Sequence, residues 1–388
     1  MRKLFTLLPS MGRLGGALLL FALLPSMGRL GGALFAAPSI VYFGDTLAWN
    51  TDWVKRQCGT LDITKNIIEV SGIACSRVTP GYIWMQSDET AKYIIATTEK
   101  GKERACKVNF TKTIRWDWED MSGGVYNGTD YLFIGAFGDN DETDGNYSVV
   151  YFPEPAIDPV NTPEITVTPQ QIKYVYPDGK KHNNEALMYD NREQMIYIIT
   201  KVYYNVCQVF SLPFRTDYGT ETQTLTYVCD LGVQEDIAYG PYDGKQLRYK
   251  GFHLVTAADI SPDGKYILIK NHNNIVSQYC WVLLWERQEG ESVAQTLIRE
   301  RHPQPIKAYN MTEWQGEAIC WLDSTTFYTT SDADDGNPPI YKFTKKQPQS
   351  LDQITAGTSR RGELVIINNT LYIRFDDHLY SLDGRKAR

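Results

Sequence analysis

The sequence predicts an all-β fold and, within that class, a β-propeller. The first observation behind this prediction is a short motif, a small or acidic residue followed by apolar residues, that recurs five times along the chain. The second is that an aromatic-rich strand follows each copy at a similar distance. Copies spaced roughly 50 to 70 residues apart, without a convincing amphipathic helix between them, are typical of propeller blades. We expect six blades, five of which are visible as repeats.

The composition agrees with a strand-rich globular chain. Its 388 residues are 43% hydrophobic and 22% charged, and the 25 Tyr, 30 Gly and 18 Pro favour short strands separated by turns. The net charge is −7, and the sequence has no run rich in Lys or Arg that could follow a phosphate backbone. We therefore expect no nucleic-acid partner, and we expect a monomer.

Residues 1–37 are interpreted as a secretory signal segment that is not part of the fold. A basic start precedes an apolar stretch that ends in small residues, and residues 7–18 are repeated at 23–34. The rival interpretation is a membrane anchor, but the arginines, prolines and glycines inside this stretch make a poor lipid-spanning helix. We expect an exported protein in the periplasm, at the cell surface or outside the cell, with no stable membrane span in the mature chain.

Residues 38–345 are predicted to form the propeller, with segment 41–70 supplying strands to the closing blade. Turn residues such as Pro262-Asp263-Gly264 and Asn127-Gly128 lie between motif and strand, which is the sequence pattern of a hairpin. The five pairs of motif and strand are 71–74 with 82–84, 119–121 with 131–134, 185–187 with 195–199, 258–260 with 266–269, and 317–319 with 326–328.

The C-terminal region differs from the repeats. Residues 346–361 form a polar linker, and residues 362–388 alternate apolar and polar side chains over two or three short strands. This tail resembles the C-terminal sorting modules of exported proteins in the Bacteroidetes group, which implies a role in export or surface attachment. The alternative is a last propeller strand that closes the ring against segment 41–70.

The repeats themselves resemble known propeller families. Ser261-Pro262-Asp263-Gly264-Lys265, followed by an apolar strand, is similar to the repeat of TolB-type, WD-repeat-like propellers. A larger set of motifs resembles secreted bacterial propellers that are called phytase-like or esterase-like by fold analogy. That set comprises Ser71-Gly72-Ile73-Ala74, Asp117-Trp118-Glu119-Asp120, Gly135 with Gly138-Asp139-Asn140, Glu185-Ala186-Leu187, Ala258-Asp259-Ile260 and Gly316-Glu317-Ala318-Ile319.

The resemblance covers about residues 65–345 and implies architecture more than chemistry, because many functions share one fold. The chain also departs from the pattern. It has Gln86-Ser87-Asp88 where the first blade of that family carries His-Asn-Asp, so the acid is kept and the imidazole is missing.

A set of recurring acids is the main functional signal. The innermost strand of each blade lines the central channel, so a residue at the start of that strand recurs around one opening. Clustered carboxylates repel one another unless a cation, a basic ligand or backbone N–H groups satisfy them. Three interpretations stay open: hydrogen bonding to the next blade, binding of calcium or another hard cation, and a direct ligand or catalytic role. The recurring candidates are Asp120, Glu185, Asp259 and Glu317, and the further acids are Asp88, Glu119 and Asp139.

Two acidic loops, 139–145 and 332–336, are rich in oxygen ligands but do not follow the spacing of the helix-flanked calcium loop. They are interpreted either as solvated turns or as calcium loops. Calcium is the one cofactor that the sequence suggests.

The seven cysteines are widely spread and lack the spacing of a zinc site. An odd number leaves at least one thiol free after export. Cys207 and Cys229 are spaced as hairpin neighbours and are the first pair to test for a disulfide.

Two functional hypotheses follow. In the first, the propeller binds a small-molecule, carbohydrate or peptide ligand at its channel mouth or rim. In the second, it is a cation-dependent hydrolase of phosphate or other esters, in which bound metal polarises the substrate. A phosphoesterase needs basic side chains near its carboxylates, and Arg115, Lys201 and Lys270 are the candidates. Since these are few, binding ranks first; whether the chain is an enzyme stays open, and no catalytic residue is assigned.

Overall fold

The structure is a computed structural model, and its chain divides into two compact units, Met1–Thr344 and Lys345–Arg388. The structure describes residues 39–346 except 43–44, 47–48, 90–91, 116, 204, 233–235, 243–244, 251–253, 273–279, 307–312 and 333–335, and residues 363–381 except 368–369 and 376–377. The expected signal segment therefore lies outside the described residues, as does nearly all of the expected linker.

Five of the sheets described in the first unit are each built around an antiparallel meander that starts at an inner strand. Three strands precede the first meander: β1 (Ser39–Tyr42), β2 (Asp45–Thr46) and β3 (Trp53–Thr60). The first sheet has β4 (Val70–Cys75), β5 (Tyr82–Ser87), β6 (Tyr93–Thr98) and β7 (Arg104–Phe110). The second has β8 (Trp118–Tyr126), β9 (Thr129–Ala136) and β10 (Tyr147–Pro153); β11 (Glu164–Val167) then joins β7 of the first sheet in parallel, and β12 (Gln170–Val175) completes the second.

The third sheet has β13 (Asn184–Asp190), β14 (Met195–Thr200) and β15 (Gln208–Pro213); β16 (Gln223–Thr224) pairs with β12, and β17 (Thr226–Asp230) completes the third. Strands β18 (Asp236–Tyr242) and β19 (Lys245–Lys250) form a separate sheet with β1 and β2. The fourth has β20 (Val255–Ile260), β21 (Tyr266–His272), β22 (Cys280–Glu286), then helix α1 (Val293–Arg299) and β23 (Gln304–Pro305). The fifth has β24 (Ala318–Asp323), β25 (Thr326–Thr330), β26 (Pro339–Lys345) and, at its outer edge, β3.

The five sheets form a closed ring of blades. Inner strands β4, β8, β13, β20 and β24 contact one another in that order, and β24 also contacts β4. The fold is therefore a β-propeller, as predicted. Six blades are not confirmed, because only five of the described sheets contribute an inner strand to the ring and the fifth packs directly on the first. Segment 41–70 does supply a strand to the closing blade, since β3 is its outermost strand, but β1 and β2 pair elsewhere.

Apolar clusters fill the spaces between neighbouring blades. They explain why the sequences of the inner strands are mostly apolar. In β4, β13 and β20 every residue is buried, because each sheet is covered on both faces. Between the fifth and first blades, one cluster joins Ile73 and Met85 to Cys320 and Tyr328. This cluster is further support for closure with five blades.

The hairpin between β8 and β9 has its turn at the residues from which the sequence predicted one. Val125 pairs with Asp130 and Tyr126 with Thr129, which leaves Asn127 and Gly128 as a two-residue turn. Both have positive φ, 49° and 79°, as a type I′ turn requires.

The second unit is a three-stranded antiparallel sheet of β27 (Glu363–Ile367), β28 (Thr370–Phe375) and β29 (His378–Ser381).

Candidate ligand site at the channel mouth

β-Bulges set the start of the inner strands and decide which side chains face the channel mouth. The ladder register shifts between Val70 and Gly72, between Asn184 and Ala186, and between Val255 and Ala257. The extra residues are Ser71, Glu185 and Thr256. An extra residue of this kind bends its strand and redirects its side chain.

In the second and fifth blades, the residue at the corresponding place, at the start of the inner strand, is a glutamate. In β8 the shift spans Trp118 to Met121, so Glu119 and Asp120 both fall in the bulge. In the fifth blade Glu317 directly precedes the first paired residue, Ala318. The equivalent residues around the mouth are therefore Ser71, Glu119, Glu185, Thr256 and Glu317.

Lys201, just after β14, is the cation at the centre of these acids. Its Nζ lies 2.9 Å from Glu185 Oε1, and both side chains are almost fully buried. Burial disfavours the charged form of Lys201, but the carboxylates of Glu185, Glu317 and Glu119 outweigh it and raise the pKa of the lysine. Three of the five ring positions thus act on one ammonium group.

Glu119 and Glu185 are electrostatic neighbours at the mouth. Burial, followed by the charges of Glu185 and Asp117, raises the pKa of Glu119 well above its usual range, and a hydrogen bond joins the two glutamates. Two carboxylates can form that bond only if one is protonated. Gly138 gives the Glu119 carboxyl room, because a Cβ at that position would strike it.

Other acids surround this pair. Burial, with help from nearby carboxylates, raises the pKa of Asp88 to about 8, of Glu317 to about 7 and of Asp117 to about 6. Glu69 and Asp332 contribute to the effect on Asp88. We call this set the acidic mouth. Its members are Glu69, Asp88, Asp117, Glu119, Glu185, Glu317 and Asp332, together with Lys201.

Asp120 belongs to the wall of the ring and not to the mouth. Its Oδ2 accepts hydrogen bonds from the N–H groups of Leu187 and Ala258, both at 2.9 Å, and its Oδ1 accepts one from Met121 at 2.8 Å. One carboxylate therefore ties the inner strands of the second, third and fourth blades together. This is the structural role that the sequence left open as an alternative to a cation site.

Asp259 has a similar bracing role at a deeper level. It lies three residues beyond Thr256, or roughly 10 Å further along the strand. Its Oδ2 accepts from the N–H of Trp321 at 2.8 Å and its Oδ1 from the hydroxyl of Ser122 at 3.2 Å. The expectation that Asp120, Glu185, Asp259 and Glu317 occupy equivalent places is therefore wrong, because the acid and not the bulge served to align the repeats.

Asp139 satisfies its own loop. Its two oxygens accept hydrogen bonds from the N–H groups of Thr143, Asp144 and Gly145 and from the hydroxyl of Tyr147. Burial opposes the charge of Asp139, but these donors lower its pKa.

In the second acidic loop, residues 333–335 lie outside the described residues. Among the residues that are described, no three His, Cys, Asp or Glu side chains are grouped so as to hold a metal ion.

The three basic candidates are already engaged. Lys270 is fully buried, with Nζ 2.5 Å from Glu313 Oε2 and 2.9 Å from the carbonyl oxygen of Thr330. Arg115 donates to Asp144 Oδ2 at 2.7 Å and to the carbonyl oxygen of Gly138 at 2.6 Å. With Lys201 paired to Glu185, each candidate has carboxylate or carbonyl partners.

The other end of the channel holds a second opening. A cavity of about 270 Å³ lies where the inner strands end, lined by residues that include Cys75, Arg77, Asn191, Asp259 and Trp321. Arg77 donates from Nε to Asp130 Oδ1 at 2.8 Å. Sequence reasoning did not single out this end of the channel, nor Glu69 at the mouth. It named Asp332 only within the acidic loop 332–336 and Asp117 only within a family motif.

Comparisons with known proteins concern the fold alone. No protein-family model matches the sequence, and no curated protein matches it either. Among solved structures, a Dos1 propeller is 11% identical with a TM-score of 0.32, over 70% of this chain and 67% of that one. The α-L-arabinofuranosidase PaAbf62A from Podospora anserina, in complex with cellotriose, is 9% identical with a TM-score of 0.41, over 77% and 98%. A glucose dehydrogenase is 9% identical with a TM-score of 0.40, over 74% and 98%.

The membrane question has a limited answer. Within the residues described, no helix has the length and apolar character needed to cross a membrane.

Proposed function

We propose that this chain is an exported β-propeller that binds a positively charged ligand, or a ligand together with a calcium ion, at its acidic mouth. One observation carries the proposal: seven carboxyl groups of the first, second, third and fifth blades act on one another electrostatically, and three of them, Glu119, Glu185 and Glu317, act on Lys201. Their mutual repulsion and burial hold several of them above their usual pKa. A cation that enters the mouth relieves this repulsion and releases protons.

The ligand classes that fit are those with an exposed positive charge. A carbohydrate with an amino group or a peptide with a lysine or arginine side chain presents such a charge, as does a sugar held through calcium. Asp88 Oδ1 and Gln86 Oε1 are buried atoms without a hydrogen-bond partner among the described residues. They are acceptors available to such a ligand.

The hydrolase hypothesis has less support. A phosphate ester would need free basic groups to meet its oxygens, and Arg115, Lys201 and Lys270 are all paired with acids of the protein. Binding therefore ranks first.

Thermal melts with added cations test the proposal. Calcium chloride, glucosamine and a short lysine peptide are added separately, and an effective ligand at a hundredfold excess over its dissociation constant should stabilise the wild type by about 3 kcal/mol. Glu185→Gln and Glu317→Gln should reduce this gain, because each removes a carboxylate from the mouth.

Asp120→Asn and Asp259→Asn are the matched controls. Each should lower stability by about 1 to 3 kcal/mol through lost hydrogen bonds, with the cation-dependent gain unchanged. If no cation stabilises the wild type, or if the control variants lose the gain while Glu317→Gln keeps it, the acidic mouth is not the binding site.

A further inference from the structure

Two cysteine side chains meet where the propeller ring closes. Cys75 ends inner strand β4 of the first blade, and Cys320 lies in inner strand β24 of the fifth blade. Their Sγ atoms are 3.4 Å apart although the residues are separated by 245 positions in the sequence. Both side chains are buried in the apolar cluster between these two blades.

The sulfur contact between Cys75 and Cys320 differs from the arrangement of Cys207 and Cys229, the pair that the sequence favoured. All seven cysteines are free thiols in the structure. Cys229 is paired with Val209, and the Cys207 carbonyl accepts from the N–H of Leu231, so Cys207 and Cys229 are offset by two residues across β15 and β17. Such diagonal neighbours have Cα atoms about 7 to 8 Å apart, beyond the usual span of a disulfide.

The geometry points to a disulfide between Cys75 and Cys320 that locks the propeller at its ring closure. Sulfur atoms at 3.4 Å need to approach to about 2.05 Å, which rotation of the two side chains and a small shift of adjacent strands can supply. The bond would join the first and last blades near the axis. At the periphery the same two ends of the chain are already joined, because β3 pairs with β26.

The oxidant is a disulfide compound, such as oxidised glutathione or the disulfide form of a thiol oxidoreductase. The Cys75 thiolate attacks one sulfur of this compound and expels the other as a thiolate, which forms a mixed disulfide. The Cys320 thiolate then attacks Cys75 Sγ and expels the second thiolate. The two cysteines lose two electrons and two protons, and the oxidant is reduced to two thiols.

A route to the thiols exists at the channel end opposite the acidic mouth. Strand β4 begins at the mouth and ends at Cys75, which lines the cavity of about 270 Å³. Oxidant can therefore approach Cys75, while Cys320 lies behind it with 1% of its surface exposed. Burial, followed by the contact with Cys75, raises the pKa of Cys320, so alkaline pH should accelerate closure of the bond.

Peptide mapping by mass spectrometry tests the proposal on the wild-type protein. The folded chain is incubated with oxidised glutathione at pH 8.5, alkylated under denaturing conditions and digested. We expect one cross-linked pair of peptides, which contain Cys75 and Cys320, a mass loss of two hydrogens, and five thiols that remain open to alkylation. The oxidised protein should melt about 5 °C higher than the reduced one, because the link constrains a long loop of the unfolded chain.

Three variants serve as comparisons. Cys75→Ser and Cys320→Ser should each lose the oxidation-dependent rise in melting temperature. Cys106→Ser should keep it, because Cys106 is buried elsewhere, between the first and second blades. Cross-linked peptides from any other pair, or seven titratable thiols after oxidation, would overturn the proposal, and the mapping stands even if a serine variant fails to fold.

Discussion

Two kinds of acid line the channel, and their hydrogen-bond donors separate them. Asp120 and Asp259 accept hydrogen bonds from N–H groups of neighbouring blades, and these donors partly offset the burial that raises the pKa of both acids. Glu119, Glu185 and Glu317 instead face one another and Lys201. An acid that accepts backbone N–H groups from neighbouring blades braces the ring, whereas an acid that faces other acids is destabilised by a repulsion that a bound cation can relieve.

Asp88 should give the protein a measurable pH dependence. Burial, then the charges of Glu69, Asp332 and other acids, raises its pKa to about 8, whereas the unfolded chain ionises it near pH 4. The folded state therefore holds a proton that the unfolded state releases. The stabilising contribution is full below about pH 4 and is lost as the pH rises through about 8.

We expect Asp88→Asn to reduce this loss, because asparagine mimics the protonated acid. The variant should be more stable than the wild type at pH 8 by up to about 5 kcal/mol and nearly equal to it at pH 4. Urea unfolding between pH 4 and pH 9 measures the difference. Glu89→Gln removes an exposed charge in the same turn and should follow the wild type; a parallel curve for Asp88→Asn would contradict the assignment.

At the scale of elements, β3 closes the fifth blade from the N-terminal side. Its first residue, Trp53, is buried against Trp321 and Phe327, with ring centroids 5.6 and 5.2 Å away. Lys55, further along β3, lies 3.0 Å from Glu313 Oε1, which also accepts from the Thr329 hydroxyl at 2.9 Å. Side-chain contacts therefore hold β3 in place in addition to its pairing with β26.

Trp53→Ala should therefore weaken the closing blade. Removal of a buried tryptophan costs about 3 to 5 kcal/mol, since transfer from water and a cavity both count against the variant. Equilibrium urea unfolding followed by circular dichroism measures this cost. Val54→Ala is the matched control, because Val54 is 50% exposed and its truncation should change stability by less than about 0.5 kcal/mol. Equal effects from the two variants would show that β3 does not anchor the ring.

The elements were predictable to the extent that local chemistry determines them. The turn at Asn127-Gly128 and the apolar strands can be read from the residues themselves. The alignment of Asp120 and Asp259 with Glu185 could not be read correctly, because a bulge is defined by the partner strand and leaves no mark in its own sequence. The expected count of six blades, which is not confirmed, depends on information of the same kind. Whether β24 meets β4 or an additional blade depends on packing across the ring, far apart in sequence.

At the scale of the whole molecule, the tail is a separate unit. The fourth strand of the fifth sheet is β3, so the described propeller does not need the tail to complete a blade. Deletion of residues 362–388 should leave a cooperative thermal melt with a midpoint close to that of the full chain. We also expect the truncated protein to change its distribution between membrane-associated and free fractions of expressing cells. An insoluble truncation product would favour the closing-strand interpretation instead.

Closure by β3 also governs the order in which the protein can fold. Cys58 in β3 donates through its thiol to the carbonyl oxygen of Ile340 in β26, and these residues are 282 positions apart. During synthesis β3 emerges early, and its partner emerges only after all five inner strands have been made. Contacts between such distant segments slow folding and leave strand edges open to wrong partners in the interval. Closure of the ring by β3 therefore leaves this strand unpaired until β26, its partner in the fifth blade, has been synthesised.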